Sequence, residues 1–306
     1  MRVMKLFRRA LPIAAVLTCV LSPAAADATW PGKPGLVAYW GIDGVQTVRS
    51  NGTHHRLVLP GLTGNTFAWS PANGREIGYS TDGIWRARPD GSHRHLVVGS
   101  GFEEPGPGGE TELSSPAWDP KGDRLVFTVT SRPAPDDGTG AADIHWIWSV
   151  RRDGTHLRKV VRGREAVWSR SGAHIRFIDE GYDIVEIKAN GSGLRVLAQN
   201  SDLSGAHSLD LSPDGNRLVY QTGGGPKTTF RTLNVRNGAR IHFSLGKQGV
   251  GTVVWAPGGK RLAYIFQPSL NARYQLRTIA PNGRSDRKVF TFPAGGWVKD
   301  LAWQTR

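Results

Sequence analysis

Apolar residues recur along this chain in pairs two positions apart, the spacing that sends both side chains to one face of a strand. Ile77/Tyr79, Leu125/Phe127, Ile175/Phe177, Leu218/Tyr220 and Leu262/Tyr264 are such pairs. Each follows a turn holding Gly74, Gly122, Gly172, Gly215 or Gly259, and each turn follows an apolar anchor segment. The anchor segments are Phe67-Ala68-Trp69-Ser70-Pro71, Pro116-Ala117-Trp118-Asp119-Pro120 and Ala166-Val167-Trp168-Ser169-Arg170, then Leu209-Asp210-Leu211-Ser212-Pro213 and Val253-Val254-Trp255-Ala256-Pro257. A last copy, Leu301-Ala302-Trp303, closes the chain. Anchors at 69, 118, 168, 211, 255 and 303 lie 49, 50, 43, 44 and 48 residues apart. That is the period of a four-stranded propeller blade with variable loops.

A third strand in each unit leads into an Asx-Gly pair: Asn51-Gly52, Asp90-Gly91, Asp153-Gly154, Asn190-Gly191, Asn237-Gly238 and Asn282-Gly283. These predict hairpins of the kind in which both central residues take positive φ. A fourth strand with a basic residue and apolar neighbours follows, as in Arg94-His95-Leu96-Val97. The two ends complement each other. Val37/Tyr39 is a second-strand pair with no anchor before it, and Lys299 to Trp303 is an anchor strand with nothing after it. Joining them makes a sixth blade and removes the open edges of a linear array.

The repeat resembles the TolB-type propeller repeat, whose signature is a Trp-Ser-Pro-Asp-Gly turn, an apolar-x-aromatic strand and a later Asp-Gly. The resemblance covers residues 36–303; Ser212-Pro213-Asp214-Gly215 carries the full turn, with Leu211 in the Trp position. It implies an all-β, six-bladed β-propeller of four-stranded antiparallel blades. This forms a single domain over 27–306, without the α/β domain that precedes the propeller in TolB itself. The family's partner contacts lie outside the repeat motif, so no site residue carries over.

Residues 1–26 are expected to be an export signal. Arg2, Lys5, Arg8 and Arg9 precede an apolar stretch from Ala10 to Leu21, and Ala24-Ala25-Ala26 ends in a small-x-small cleavage pattern. The stretch is too short to span a bilayer core of about 30 Å. A lipoprotein reading would use Cys19, but Thr18 before it fits poorly and the cleavage pattern lies downstream. Cleavage near Ala26 predicts a soluble, cysteine-free mature chain, secreted or held in the periplasm or cell envelope, and the expected oligomeric state is a monomer. A single Cys in 306 residues excludes an internal disulfide framework and a thiolate-rich zinc site. The whole chain has 39 basic and 25 acidic residues; losing the four basic signal residues leaves a mature charge of +10. The basic residues are scattered, and export argues against nucleic acid as a partner.

Candidate chemistry is sparse. Sixfold repetition makes the anchor tryptophans core residues rather than ligand stackers, each contributing on the order of 2–3 kcal/mol by burial. His54, His93 and His156 follow equivalent Asx-Gly turns. Rim positions on separate blades are too far apart for one zinc, whose ligands lie about 2 Å from it. Asn51-Gly-Thr and Asn190-Gly-Ser match a glycosylation sequon, but the hairpins already explain them. The sequence contains no nucleophile elbow, P-loop, His-Glu-x-x-His or dinucleotide fingerprint.

Charge placed against the overall trend is the most informative feature. Residues 98–114 hold Glu103, Glu104, Glu110 and Glu112 with no Lys or Arg; residues 130–143 hold Asp136, Asp137 and Asp143 opposed only by Arg132. The repeat puts both segments on the same propeller face in adjoining positions, as long loops rich in Gly and Pro. Three readings follow: solvated loops, a docking surface for a basic protein or peptide, or a calcium site, although the spacing matches no calcium loop. The expected function is a non-catalytic binding module presenting this acidic face to a protein, peptide or cell-wall glycan, with no cofactor other than that calcium. The alternative is a carbohydrate- or peptide-active lyase or hydrolase with its site at the axial channel. Converging His, Asp, Glu or Arg side chains with shifted pKa values would mark such a site.

Overall fold

A computed structural model describes residues 34–305 apart from 62–65, 72–73, 100–109, 133–141, 200–205, 223–227, 246–249, 270 and 295–297. Every regular element among the described residues is a strand, and the strands form six four-stranded antiparallel sheets. In blade 1, β1 (Pro34–Gly41), β2 (Gly44–Arg49) and β3 (Arg56–Pro60) are completed by the C-terminal strand β24 (Lys299–Thr305). Blade 2 is β4 (Phe67–Trp69), β5 (Ile77–Ser80), β6 (Ile84–Ala87) and β7 (His95–Val98). Blade 3 has the long strands β8 (Thr111–Trp118), β9 (Arg124–Ser131) and β10 (Ile144–Arg151), with β11 (Arg158–Arg162) outermost. Blade 4 is β12 (Arg164–Trp168), β13 (His174–Ile178), β14 (Ile184–Lys188) and β15 (Arg195–Ala198). Blade 5 is β16 (Ala206–Leu211), β17 (Arg217–Thr222), β18 (Thr229–Asn234) and β19 (Arg240–Ser244). Blade 6 is β20 (Val250–Trp255), β21 (Leu262–Phe266), β22 (Gln275–Ile279) and β23 (Arg287–Thr291).

The ring closes as the two chain ends require. Val37 pairs with Trp303, Ala38 with Ala302 and Tyr39 with Leu301. Gln304 ties this seam to blade 2, accepting from the Leu36 N–H at 2.9 Å and donating to the Gly74 carbonyl at 2.7 Å.

The core lies between blades rather than at the axis. Each junction buries its own apolar cluster; Val126 and Ile147 of blade 3, for example, meet Trp168, Ile175 and Phe177 of blade 4. The anchor tryptophans 69, 118, 168, 255 and 303 are all buried in such junctions, as are the second-strand pairs.

The Asx-Gly hairpins differ from expectation in their turn geometry. Of each Asx-Gly pair only the glycine has positive φ (82° at Gly52, 81° at Gly91), while the preceding Asn or Asp does not. The Gly52 N–H bonds back to the Arg49 carbonyl and the Arg49 N–H to Thr53, making a three-residue loop with a glycine bulge. The Asx side chain caps this loop instead of adopting the left-handed conformation. Asn51 Oδ1 accepts from the Thr53 N–H at 3.1 Å and from its hydroxyl at 2.7 Å, and Asp90 and Asp153 repeat the arrangement.

Candidate functional site

Polar groups that bear on function gather at one corner of blade 3 and along the axial channel. At the corner, Glu110 and Glu112 flank the start of β8, Arg132 follows β9, and Asp143 precedes β10. Thr111 and Ile144 both pair with Ser131, so these three strand ends share one edge of the sheet. The structure therefore brings Glu110, Glu112 and Asp143 onto one face. Arg132 stands between two of them, its Nη2 donating to Glu112 Oε2 at 2.5 Å and its Nε lying 3.5 Å from Asp143 Oδ2. That guanidinium is the counter-charge those two carboxylates share. Glu103, Glu104, Asp136 and Asp137 fall outside the described residues.

Blade 2 adds an acid that no sequence motif singles out. Asp82, in the β5–β6 turn, lines a cleft of about 240 Å³ with Thr81, Glu110, Glu112 and Arg132. Bonds from the Thr81 hydroxyl at 2.6 Å and the Trp85 indole N–H at 3.1 Å hold its carboxyl below the usual range. His145 sits beside this corner, 3.1 Å from the Thr130 hydroxyl, with its pKa lowered chiefly by burial. His54, His93 and His156 lie in separate exposed turns, each at positive φ with its ring nitrogen 3.0 Å from the neighbouring hydroxyl.

On the axis, the six innermost strands enclose a chamber of about 480 Å³. Its wall is built by a recurring β-bulge. Ladder register slips between Ser114 and Ala117, Arg164 and Val167, His207 and Asp210, and Val250 and Val253. Ser115, Glu165, Ser208 and Asp300 take φ between 47° and 58°, each three residues before its anchor. With Thr66 and Thr252 at the equivalent positions, every blade places a polar side chain on this wall.

A bulge withdraws backbone N–H groups from the ladder, and a buried N–H needs an acceptor. The preceding blade supplies it. Thr66 Oγ1 accepts from the Ser115 N–H at 2.5 Å, Thr128 Oγ1 from Glu165 at 3.1 Å and Glu165 Oε2 from Leu209 at 3.3 Å. Asp210 Oδ2 accepts from Trp255 at 2.7 Å and Asp300 Oδ2 from Phe67 at 3.2 Å. Removal from bulk water pushes Asp210 and Asp300 up to about 7 against these donors, and raises Glu165 as well. No single-sequence motif marks these three carboxylates; only alignment of the six repeats on their anchors puts Glu165 and Asp300 in register.

No protein-family model and no curated protein sequence matches the chain. Among solved structures it is similar to TolB from Acinetobacter baumannii, with TM-score 0.68 and 17% identity over 88% of this chain and 66% of that one. A nidogen/laminin complex structure aligns with TM-score 0.65 and 15% identity, covering 88% of this chain and 98% of that one. An oligogalacturonate lyase in complex with manganese aligns with TM-score 0.57 and 14% identity, covering 83% and 74%. The shared feature is the TolB-type six-bladed propeller, and this chain spans just under two thirds of the Acinetobacter protein.

Proposed function

We propose that this chain is an exported, non-catalytic propeller that docks a basic protein or peptide segment at the acidic corner of blade 3. The observation that carries the reading is the convergence of Glu110, Glu112 and Asp143 on one sheet edge, with Asp82 adjoining, in a chain of net charge +14. Carboxylates concentrated on one face of a basic molecule steer a cationic partner to that face. A propeller of the same fold is present in a nidogen/laminin complex, consistent with protein recognition on this scaffold. Export rests on the basic start, the apolar stretch to Leu21 and the Ala24-Ala25-Ala26 pattern. The oligogalacturonate lyase shares the architecture; here Glu165, Asp210 and Asp300 each accept a backbone N–H of the next blade, a structural task that a non-catalytic propeller also needs.

The test is fluorescence anisotropy of a labelled Lys-rich peptide against the chain from Asp27. It is repeated on a variant with Glu103, Glu104, Glu110, Glu112, Asp136, Asp137 and Asp143 changed to their amides. The expected result is binding that weakens with salt and falls at least about tenfold in the variant, about 1.4 kcal/mol. Equal affinity for both proteins would assign the corner to solubility alone.

A further inference from the structure

Backbone satisfaction calls for an acceptor at each blade junction, and a neutral one can serve. Thr66 and Thr128 serve the same purpose with neutral hydroxyls, at 2.5 and 3.1 Å. Glu165 and Asp300 accept two backbone N–H groups each, Glu165 from Leu209 and Ser208 and Asp300 from Phe67 and Leu301, and as carboxylates they add charge in a site where desolvation opposes ionisation. They belong to blades 4 and 1, half a turn apart in a ring of six, so they stand on opposite walls of the chamber. The Glu165 carboxylate adds to the burial that disfavours ionisation of Asp300. Among the described residues neither carboxylate forms an ion pair.

One residue before each anchor, the wall turns mostly apolar, with Ala68, Ala117, Val167, Val254 and Ala302. The combination is an apolar chamber with a few convergent polar groups and a volume in the range of small-molecule sites, about 300–1,000 Å³. A metal fits poorly, because no three His, Cys, Asp or Glu side chains among the described residues group closely enough to hold one. An organic cation needs no such coordination shell. Its charge can lie between two carboxylates while its carbon skeleton lies against the alanine and valine ring.

We propose that the axial chamber binds a small organic cation, a short alkyl amine or diamine, with its charge held between Glu165 and Asp300 and its carbon chain against the apolar ring. The proposal is separate from docking at blade 3: it uses other residues, and either site can fail without the other.

Titration calorimetry with diaminopentane, and with pentanediol as the neutral counterpart, tests it at pH 8 and pH 5. The variants are Glu165→Gln, which keeps an oxygen for the Leu209 N–H, and Asp300→Thr, which installs the hydroxyl that Thr66 uses. Glu112→Gln is the corner control. The expected result is diamine binding at pH 8, at least tenfold weaker in each chamber variant, unchanged in Glu112→Gln and weakened at pH 5. Pentanediol should not compete. Absence of diamine binding to the unaltered chain, or equal binding by pentanediol, overturns the proposal. So does undiminished affinity in a folded Glu165→Gln protein. Should a chamber variant fail to fold, the unaltered chain still decides the matter, because affinity independent of pH between 5 and 8 contradicts a carboxylate clamp.

Discussion

At Asp210 both carboxylate oxygens accept backbone donors, from Leu211 at 2.8 Å and Trp255 at 2.7 Å, yet burial still lifts its pKa to about 7. An unfolded Asp titrates near 3.9. Between those values the folded protein holds a proton that the unfolded chain has released. Stability from this group is therefore fully present below about pH 4 and lost as pH rises through 7. Asp300 and Glu165 act in the same direction. We expect urea unfolding free energies to fall from pH 5 to pH 8, and Asp210→Asn to flatten that slope by about 1–2 kcal/mol after allowance for water in the channel. The slope is the readout, since the Asn amide also loses one acceptor. An unchanged slope would show that Asp210 ionises normally. No motif marks this residue, because its environment, rather than its sequence neighbours, shifts its pKa.

Among the elements, the hairpins show how a local signal acquires a tertiary role. Gly91 has φ of 81°, and a Cβ there would lie 1.8 Å from the Val58 carbonyl oxygen of the neighbouring blade. Gly238 occupies the equivalent hairpin with φ of 71° and nothing within 4 Å. Gly238→Ala should cost only the left-handed backbone penalty, about 1–2 kcal/mol. Gly91→Ala must also push the neighbouring blade away, and we expect it to cost about 2–4 kcal/mol. Denaturant midpoints of the pair measure the difference; equal losses would mean that blade contact at Gly91 is soft. The Asx-Gly dipeptides were legible as turns because glycine and Asx have few competing uses there. The turn type was not, since the choice between a two-residue loop and a three-residue loop with a bulge depends on strand register.

Across the whole molecule, arginine joins the blades. The chain has 29 Arg against 10 Lys, and several guanidinium groups reach carbonyls on an adjoining blade. Arg86 bonds to Arg152, Arg217 to Gly259 and Arg240 to Gln199 at 2.8–3.2 Å, and Arg158 and Arg170 bond to Ala189 and Pro213. Some of the basic excess thus serves ring assembly, for which a planar fork with several donors suits better than an ammonium. The ring itself depends on its last strand. Deleting Leu301 to Arg306 removes buried Leu301 and Trp303 together with the Gln304 bridge to Gly74. The expected fall in melting temperature is about 10 °C or more. A melt unchanged by this deletion would contradict closure through β24.

The repeat period, the strand pairs, the anchors and the complementary ends were readable from the chain alone. Each is a local pattern, and sixfold copying averages out the irregularities of any single unit. The shared edge of Glu110, Glu112 and Asp143 also followed, because loop class determines face once the blades are aligned. Charge at the axis did not follow. Whether Glu165, Asp210 and Asp300 point into solvent, pair with a cation or cross a blade junction depends on a one-residue bulge and on the neighbouring blade. Those relations join residues as far apart as Phe67 and Asp300, and only closure of the ring brings such residues within hydrogen-bonding distance.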